Sequence, residues 1–379
     1  MSLRADRPTH QKQAGVALLA ALILMLALVI TLGNIFYRHQ IDVSQATGSL
    51  HGDQAMLLAM SGENWALQLL SDGQDDFDVD DFSEDWAQAM PLLPVDGGTL
   101  TGCIADLQSR VNLNSFSGYN EQSLSTESSS DVIGHAKVWL ALLRGLDMQV
   151  DPSRTAAIID WLDLDSEIIN SWGAEQPDYD GYSPSRVAAN GLISDTTELA
   201  AIRGYEVAEV QRLMPWMSAL PTKTSININT ASAELLLALG GDLGLEFSDM
   251  VIAGRPFVST EDFYRFVSER LQLDLAVVKG RWPLTLVGVN SSYFELYLEV
   301  TLGEARIEVK SIMDRQGRSK PVVISRQVTV VPASLPKPKS SAVEELFDDS
   351  SEQQQLDDED QSMETSEVQP ACMMIGEII

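Results

Sequence analysis

Residues 15–36, GVALLAALILMLALVITLGNIF, set the architecture of this chain, because they are long and apolar enough to form a helix that crosses a membrane. The 21 residues after Gly15 carry no ionisable side chain, and at 1.5 Å of rise per residue they match the thickness of a bilayer core. A cleaved secretory signal would have a shorter apolar segment and a small-residue cleavage site, and no A-x-A pattern follows Phe36. The sequence therefore predicts a single transmembrane helix over 16–36.

Charges on the two sides of this segment predict its orientation. The leader, residues 1–15, carries Arg4, Arg7 and Lys12 against one acidic residue, whereas Arg38 is the only lysine or arginine in the first twenty residues beyond the span. By the positive-inside rule the N-terminus is cytoplasmic. We therefore expect everything after the span to lie on the far side of the membrane.

The junction between leader and apolar segment resembles that of type IV pilins and pseudopilins, which a prepilin peptidase cuts after the glycine. The resemblance implies processing between Gly15 and Val16. Most members carry a glutamate as the fifth residue after the cut, whereas this chain has Ala20. A lone carboxylate in hydrocarbon is costly, and the K-type minor pseudopilins of type II secretion share this departure. The alternative is a plain signal anchor with a coincidental glycine.

Composition indicates a soluble, exported body behind the anchor. The chain has 379 residues, 45% of them hydrophobic, which is enough for a sizeable core and two domains. Its formal charge of -30 would repel nucleic acid and anionic lipid and favours a cation as partner. The two cysteines, Cys103 and Cys372, make neither a disulfide framework nor a metal-binding pattern, and the sequence allows either a bridge between them or two free thiols.

Beyond the span, apolar residues recur at spacings of three and four, without proline, up to Ser71-Asp72-Gly73. This pattern predicts that residues 37–72 continue the transmembrane helix as one rod of about 80 Å. We expect its first half to lie in lipid or in a filament core and its second half to pack on a globular head.

Segments rich in β-branched and aromatic residues predict a small antiparallel sheet. One candidate strand comes early, at Thr99–Leu107. Three come late and form a meander, at Tyr293–Leu302, Ala305–Arg315 and Pro321–Val331. The sequence therefore predicts an α+β fold in which a long, type IV pilin-like N-terminal helix packs on this sheet.

The domain boundaries follow from the separation of these strands. Residues 73–114 and 287–333 are predicted to form the α/β core, and residues 115–286 a large inserted all-α domain. Residues 334–379 are rich in serine, glutamine and acidic residues, so this tail is predicted to be disordered.

The first of two acidic clusters lies at residues 75–85. Counting from Asp76, an EF-hand would need glycine at the sixth place and glutamate at the twelfth, where this chain has Asp81 and Ala87. We interpret the segment as a solvated loop, with weak calcium binding as the alternative.

The second cluster places seven carboxylates within 21 residues, among aromatic residues and without a lysine or arginine between Arg154 and Arg186. Such a cluster repels itself unless a cation joins it, and calcium takes six to eight oxygen ligands. EF-hand spacing fails here too, so we predict a calcium site on a different kind of loop, the alternative being an exposed acidic loop. The candidate ligands are Asp160, Asp163, Asp165, Glu167, Glu175, Asp178 and Asp180.

The run D-W-x-D-x-D at 160–165, with G-A-E at 173–175, resembles the matching segment of K-type minor pseudopilins, whose members bind calcium in an inserted helical domain. The resemblance implies that Asp163, Asp165 and Glu175 are the principal ligands. It leaves the other four carboxylates as further ligands or as neighbours that support them.

Two segments are predicted to form helix-hairpin-helix or SAM-like repeats, and the second, which begins at Ile226, resembles the helix-hairpin-helix module of DNA-uptake proteins. In Asp195–Tyr205, and again from Ile226 to Ala231, a polar residue precedes a short apolar helix, and Asn229 is the predicted cap of the second helix. The rival function is therefore a membrane-anchored DNA receptor. The hairpin at 240–249 argues against it, because it has three acidic residues and no base where phosphate would lie.

Catalytic motifs do not occur in the sequence. Of four histidines only His135 lies in the predicted head, and G-x-S-x-G, H-E-x-x-H and phosphate-binding loops are missing. We therefore predict a protein that works by assembly and is not an enzyme.

The resemblance to K-type minor pseudopilins runs from the leader to the last strand, and only the acidic tail lies outside it. It implies a subunit at the tip of the periplasmic pseudopilus, assembled with I-type and J-type minor pseudopilins and the major pseudopilin. Such a subunit starts or limits filament growth while folded proteins are exported across the outer membrane. The anchor would lie in the inner membrane, with the C-terminal domain in the periplasm. A bulky insertion suits the end of a filament, because it would clash with a subunit stacked directly above.

Overall fold

The computed structural model describes residues 14–71, 79–88, 90–316 and 320–331, with side chains from Leu18 onward. Most of the predicted leader, residues 75–78 of the first acidic cluster and the predicted tail lie outside the described residues. Of the two cysteines, Cys103 is disulfide-bonded and Cys372 lies outside the described residues.

The helices are α1 (Ala14–Leu69), α2 (Glu121–Ser129), α3 (His135–Gly145), α4 (Pro152–Leu162), α5 (Gln176–Tyr179), α6 (Val207–Leu213), α7 (Ala233–Gly240), α8 (Leu245–Gly254), α9 (Thr260–Leu271) and α10 (Leu275–Arg281). The strands are β1 (Met90–Val95), β2 (Gly98–Asp106), β3 (Val111–Asn112), β4 (Met217–Ser218), β5 (Ile226–Asn227), β6 (Val287–Gly288), β7 (Tyr293–Leu302), β8 (Ala305–Asp314) and β9 (Val322–Val331).

α1 is one helix that continues without a break past the apolar segment, as predicted. Its 56 residues give a length of about 80 Å. The N-terminal half is long and apolar enough to cross a membrane, and its described side chains are exposed. Toward the other end Ala55, Ala59, Glu63 and Ala66 are buried on one helical face, and the three alanines belong to the core beneath the sheet. The helix therefore has a free half and a half that belongs to the head.

Five antiparallel strands form the sheet in the order β1-β2-β7-β8-β9. Leu296, Leu298 and Val300 of β7 alternate on the face that packs against α1, which confirms the α+β class and the predicted helix-on-sheet packing. β1 was not predicted, because Pro91 and Pro94 argue against a strand. It lies at the edge of the sheet, where the missing N–H of proline is tolerated.

Between β2 and β7 the chain forms a helical body with a core of its own. Trp139 of α3, Phe247 of α8 and Trp282 after α10 are buried in it, and the last two rings stack at 4.9 Å. The prediction that residues 115–286 are purely α-helical was wrong, because β4 and β5 lie within them. These two strands pair in parallel with β3 and β6, which lie just outside those bounds. Each strand of these pairs has two residues, which is too short for a sequence pattern to show.

The segment from Ile226 to Ala231 does not open a helix in the predicted way. Its first two residues form β5, and Ser232 caps α7 by accepting the N–H of Leu235. The side chain of Asn229 instead donates to the carbonyl of Phe257 at 3.0 Å and accepts its N–H at 2.9 Å. The predicted cap was therefore wrong, since Asn229 holds the loop before α9 and not the start of α7.

A buried polar junction ties the insertion to the sheet. Asp80, in the segment after α1, accepts hydrogen bonds from the backbone N–H of Ser291 at 2.6 Å and from the Arg315 guanidinium. Arg315 also donates to the Ser291 carbonyl at 2.8 Å. Burial raises the pKa of Asp80 to about 6, although Arg315 opposes the shift. The chain is thus held where it returns from the insertion to β7.

Candidate metal centre

The second acidic cluster begins where α4 ends. Asp151 caps the start of this helix, and its final turns are buried, so the chain leaves the core directly into the acidic loop, residues 163–175. Asp160 is fully buried near the end of α4. Its carboxylate accepts the backbone N–H groups of Ile169 at 2.9 Å and Ala174 at 2.7 Å. Asp160 therefore braces the backbone of the acidic loop.

Asp163, Asp165 and Glu175 each bring one carboxylate oxygen to within 4.8 Å of the others. Two oxygens that bind the same calcium ion at about 2.4 Å are at most about 4.8 Å apart, so the three fit around one ion. Both carboxylate oxygens of Glu175, and Oδ1 of Asp163, are buried without a hydrogen-bond partner in the described part of the chain. A buried acceptor without a donor is costly. A cation between these carboxylates would satisfy all three oxygens.

The electrostatics of Glu175 point in the same direction. Burial, together with the charges of Asp163 and Asp160, raises the pKa of Glu175 to about 7. Burial and the neighbouring Asp165 raise the pKa of Asp163 as well. Glu175 therefore resists full ionisation near neutral pH. A divalent cation would reverse this by stabilising the charged forms, and a donor set made only of oxygen is the one that calcium prefers.

The other predicted carboxylates lie outside this group. Asp178 forms an ion pair with Arg203 at 2.8 Å, and Asp180 accepts a hydrogen bond from the Gln176 side chain at 2.6 Å. Glu167 is exposed to solvent. The structure thus gathers three of the seven candidates and separates from them Asp160, Glu167, Asp178 and Asp180.

Two residues that the sequence did not single out also hold the acidic loop. Arg203 donates to the carbonyls of Trp172 at 2.8 Å and Gly173 at 2.7 Å. The side chain of Asn190 donates to the carbonyl of Asp165 at 2.5 Å. These donors lie 25 to 31 residues along the chain from their acceptors, so no local pattern connects them.

Aromatic side chains form the inner wall of the loop. The rings of Trp161 and Tyr179 meet edge to face at 5.4 Å, and Tyr179 stacks on Tyr182 at 6.2 Å. The Arg186 guanidinium lies 4.1 Å from the centre of the Tyr182 ring. The acidic residues therefore belong to a loop that is packed on the core of the insertion.

The hairpin between α7 and α8 does not resemble a phosphate site. Its Asp242 forms an ion pair with Arg281, while Glu246 and Asp249 are exposed. An acidic surface of this kind repels a nucleic-acid backbone. The DNA-receptor alternative is therefore not favoured.

The long apolar helix packs on an antiparallel sheet, and a helical domain is inserted between the second strand and the later ones. This architecture defines a pilin-like subunit with an N-terminal membrane anchor.

Comparisons with known proteins give the family. Two family profiles, both described as "Type II secretion system (T2SS), protein K", match residues 109–222 and 226–280. The chain belongs to the type II secretion system protein K family and is a minor pseudopilin of that system.

Two relatives cover most of the chain. Type II secretion system protein K of Aeromonas hydrophila is 33% identical over 327 residues, which cover 84% of this chain and 98% of the relative. The protein of the same name from Pseudomonas aeruginosa is 30% identical and covers 83% of this chain and 93% of its own length. A chain in the crystal structure of the GspK-GspI-GspJ complex from enterotoxigenic Escherichia coli has the same fold, with a TM-score of 0.64 and 22% identity, covering 75% of this chain and 99% of that chain.

Proposed function

We propose that this chain occupies the tip of the periplasmic pseudopilus, assembled with I-type and J-type minor pseudopilins. There it starts or limits filament growth during export of folded proteins across the outer membrane. The inserted domain carries the proposal, because it adds a body with its own core between β2 and β7 of the head. A subunit stacked directly above would clash with such bulk. The similar fold solved in a GspK-GspI-GspJ complex supports the choice of partners.

The free half of α1 supplies the contact with membrane and filament. Its side chains from Leu18 to Leu50 are exposed in the isolated chain, and this half is apolar up to Phe36. Packing against the equivalent helices of the other minor and major pseudopilins would bury that surface. Prepilin peptidase would first cut between Gly15 and Val16. The head would then lie in the periplasm, held by a single inner-membrane span.

We also propose that Asp163, Asp165 and Glu175 bind one structural calcium ion. The unpartnered buried oxygens of Glu175 and Asp163 are the observation that supports it. The ion would offset two of the three negative charges and connect the end of α4 to the start of α5, on either side of the acidic loop. Its role is to hold the inserted domain together, and the proposed function includes no catalytic step.

The tip position is tested by co-purification and by labelling. The full chain is produced in detergent with its I-type and J-type partners, and we expect all three to elute as one complex. Gold-labelled antibody against the inserted domain should mark one end of overproduced pseudopili. Three folded proteins that elute separately, or gold along the whole filament, would refute the tip assignment.

A further inference from the structure

Five large apolar side chains are exposed on two adjoining loops of the inserted domain. Leu164, Ile168 and Trp172 lie on the acidic loop, and Leu164 is 88% exposed. Val187 and Leu192 lie on the second loop, residues 186–192, and Val187 is 77% exposed. We call these five side chains the apolar patch.

Hydrogen bonds hold the two loops side by side. The side chain of Asn190 donates to the carbonyl of Asp165, and the N–H of Gly191 donates to the carbonyl of Trp161 at 3.1 Å. The second loop is therefore fixed against both the acidic loop and the end of α4. Exposed apolar groups that are grouped in this way mark interaction sites more often than scattered ones do.

The candidate ligands and part of the apolar patch share the acidic loop. Leu164 stands between Asp163 and Asp165 in the chain, so a cation that binds both carboxylates would fix the backbone that presents Leu164 to solvent. The fixed position of Leu164 in the patch therefore depends on the calcium proposal. Ile168 and Trp172 follow on the same loop, whose backbone is held by Asp160 and Arg203.

Charge around the patch restricts what it can bind. Asp163, Asp165 and Glu175 carry three negative charges when ionised, so one divalent cation leaves the centre negative, and Glu167 is exposed beside it. Of the two arginines at these loops, Arg203 is paired with Asp178, and Arg186 stacks on Tyr182 at the start of the second loop. The acidic-loop side of the patch therefore repels an anionic bilayer and attracts basic side chains. We propose that the apolar patch is a docking surface for a protein segment with an apolar centre bordered by lysine or arginine.

The test uses the full chain in phosphatidylcholine nanodiscs, with calcium present. The probes are a fluorescent amphipathic peptide of leucine and lysine and its counterpart of leucine and glutamate. Binding of the basic peptide, followed by anisotropy, should weaken at least about tenfold in the double variant Leu164→Ser/Ile168→Ser, because the loss of the apolar contact of even one of these side chains changes binding by roughly that factor. The acidic peptide should bind the wild type no more tightly than the basic peptide binds the double variant.

Val258 and Leu284 provide the matched control, because they are 68% and 69% exposed in the same domain but lie outside the two loops. Val258→Ser/Leu284→Ser should bind the basic peptide like the wild type. Equal weakening in both double variants would overturn the proposal, as would equal binding of both peptides. Binding of the calcium-loaded protein to phosphatidylserine vesicles, abolished by Leu164→Ser/Ile168→Ser, would assign the patch to a membrane instead.

A separate measurement distinguishes failure of the patch from failure of the calcium site. The calcium-induced rise in melting temperature is recorded for every variant. Val187→Ser/Leu192→Ser changes the patch on the loop that holds no candidate ligand, so it should lose peptide binding and keep the calcium response. If it keeps both, the docking surface is refuted while the metal centre stands. If the wild type shows no calcium response, the metal proposal fails and the peptide results alone decide the patch.

Discussion

The side-chain amide of Asn227 donates a hydrogen bond to the buried carboxylate of Asp106 at 3.1 Å, and so joins β5 of the inserted domain to the end of β2 in the sheet. Asp106 also accepts hydrogen bonds from the hydroxyls of Thr230 and Ser291, both at 2.6 Å. The same amide of Asn227 reaches the carbonyl of Asp80 at 3.1 Å. Residues 227–230 and Ser291 therefore both donate to the one buried carboxylate of Asp106, which holds the insertion against the sheet.

Removal of the Asn227 side chain should destabilise the head. Asn227→Ala takes a donor from buried Asp106, so we expect the free energy of unfolding to fall by about 1–3 kcal/mol. Urea denaturation followed by tryptophan fluorescence measures it. Asn64→Ala is the control, because that side chain is exposed on α1 and bonds only its own helix; it should change stability by at most about 0.5 kcal/mol. Equal losses of stability in the two variants would contradict the role of Asn227 in holding the insertion against the sheet.

Calcium should stabilise the inserted domain through Glu175. At about a hundredfold excess over the dissociation constant, the ion should raise the melting temperature by roughly 5 °C. Glu175→Gln should greatly reduce this rise, because the amide lacks the negative charge and has one acceptor oxygen where the carboxylate has two. Glu167→Gln should retain it, since Glu167 is exposed and outside the group of three carboxylates. Identical melting curves of the wild type in calcium and in chelator would disprove the site.

Without calcium, stability should rise as the pH falls from about 8 to about 6. The pKa of Glu175 is raised from its ordinary 4.5 to about 7, so in this range the folded state holds the proton more tightly than the unfolded state does. The contribution of Glu175 to the free energy of unfolding is therefore present at low pH and is lost as the pH rises through about 7. Glu84, whose pKa burial raises to about 7, acts in the same direction, so Glu175→Gln should remove only part of the slope. Thermal melts in chelator across this range measure it.

Calcium should reverse the contribution of Glu175 to this pH dependence. The ion binds the ionised carboxylate, so the calcium-induced rise in melting temperature should shrink as the pH falls below about 7. Paired melts with calcium and with chelator at each pH give the difference. A calcium response that grows on acidification would contradict the assignment of Glu175 as a ligand.

A carboxylate at position 20 should impair the protein. Ala20→Glu places a charge in the apolar half of α1, at a cost of about 3 kcal/mol in the bilayer unless an amine pairs with it, so a tip subunit without such a partner should assemble and support secretion less well. Ala20→Leu is the control and should behave like the wild type. Secretion by a complemented deletion strain is the measurement. If Ala20→Glu secretes normally, the alanine is merely tolerated, and the tip position rests on the insertion alone.

Several features were accessible from local sequence because their signals repeat along the chain. The apolar run over 16–36 and the helical spacing beyond it predicted α1, and the alternation in Tyr293–Leu302 predicted β7. The features that were not predicted have no such repeating signal. β1 contains Pro91 and Pro94, and Ser232 caps α7 although Asn229 precedes it with an equally suitable side chain.

Local sequence was sufficient for the long anchor helix, the α+β class and an acidic loop suited to a cation, because each depends on residue types that follow one another within individual segments. The folded chain was needed to show that Asp163, Asp165 and Glu175 converge while Asp160 turns to the backbone of Ile169 and Ala174. It was needed as well for Asn227 and Asp106, which meet across 121 residues of sequence. Such contacts depend on the path of the backbone through space, and the spacing of residues along the chain does not encode that path.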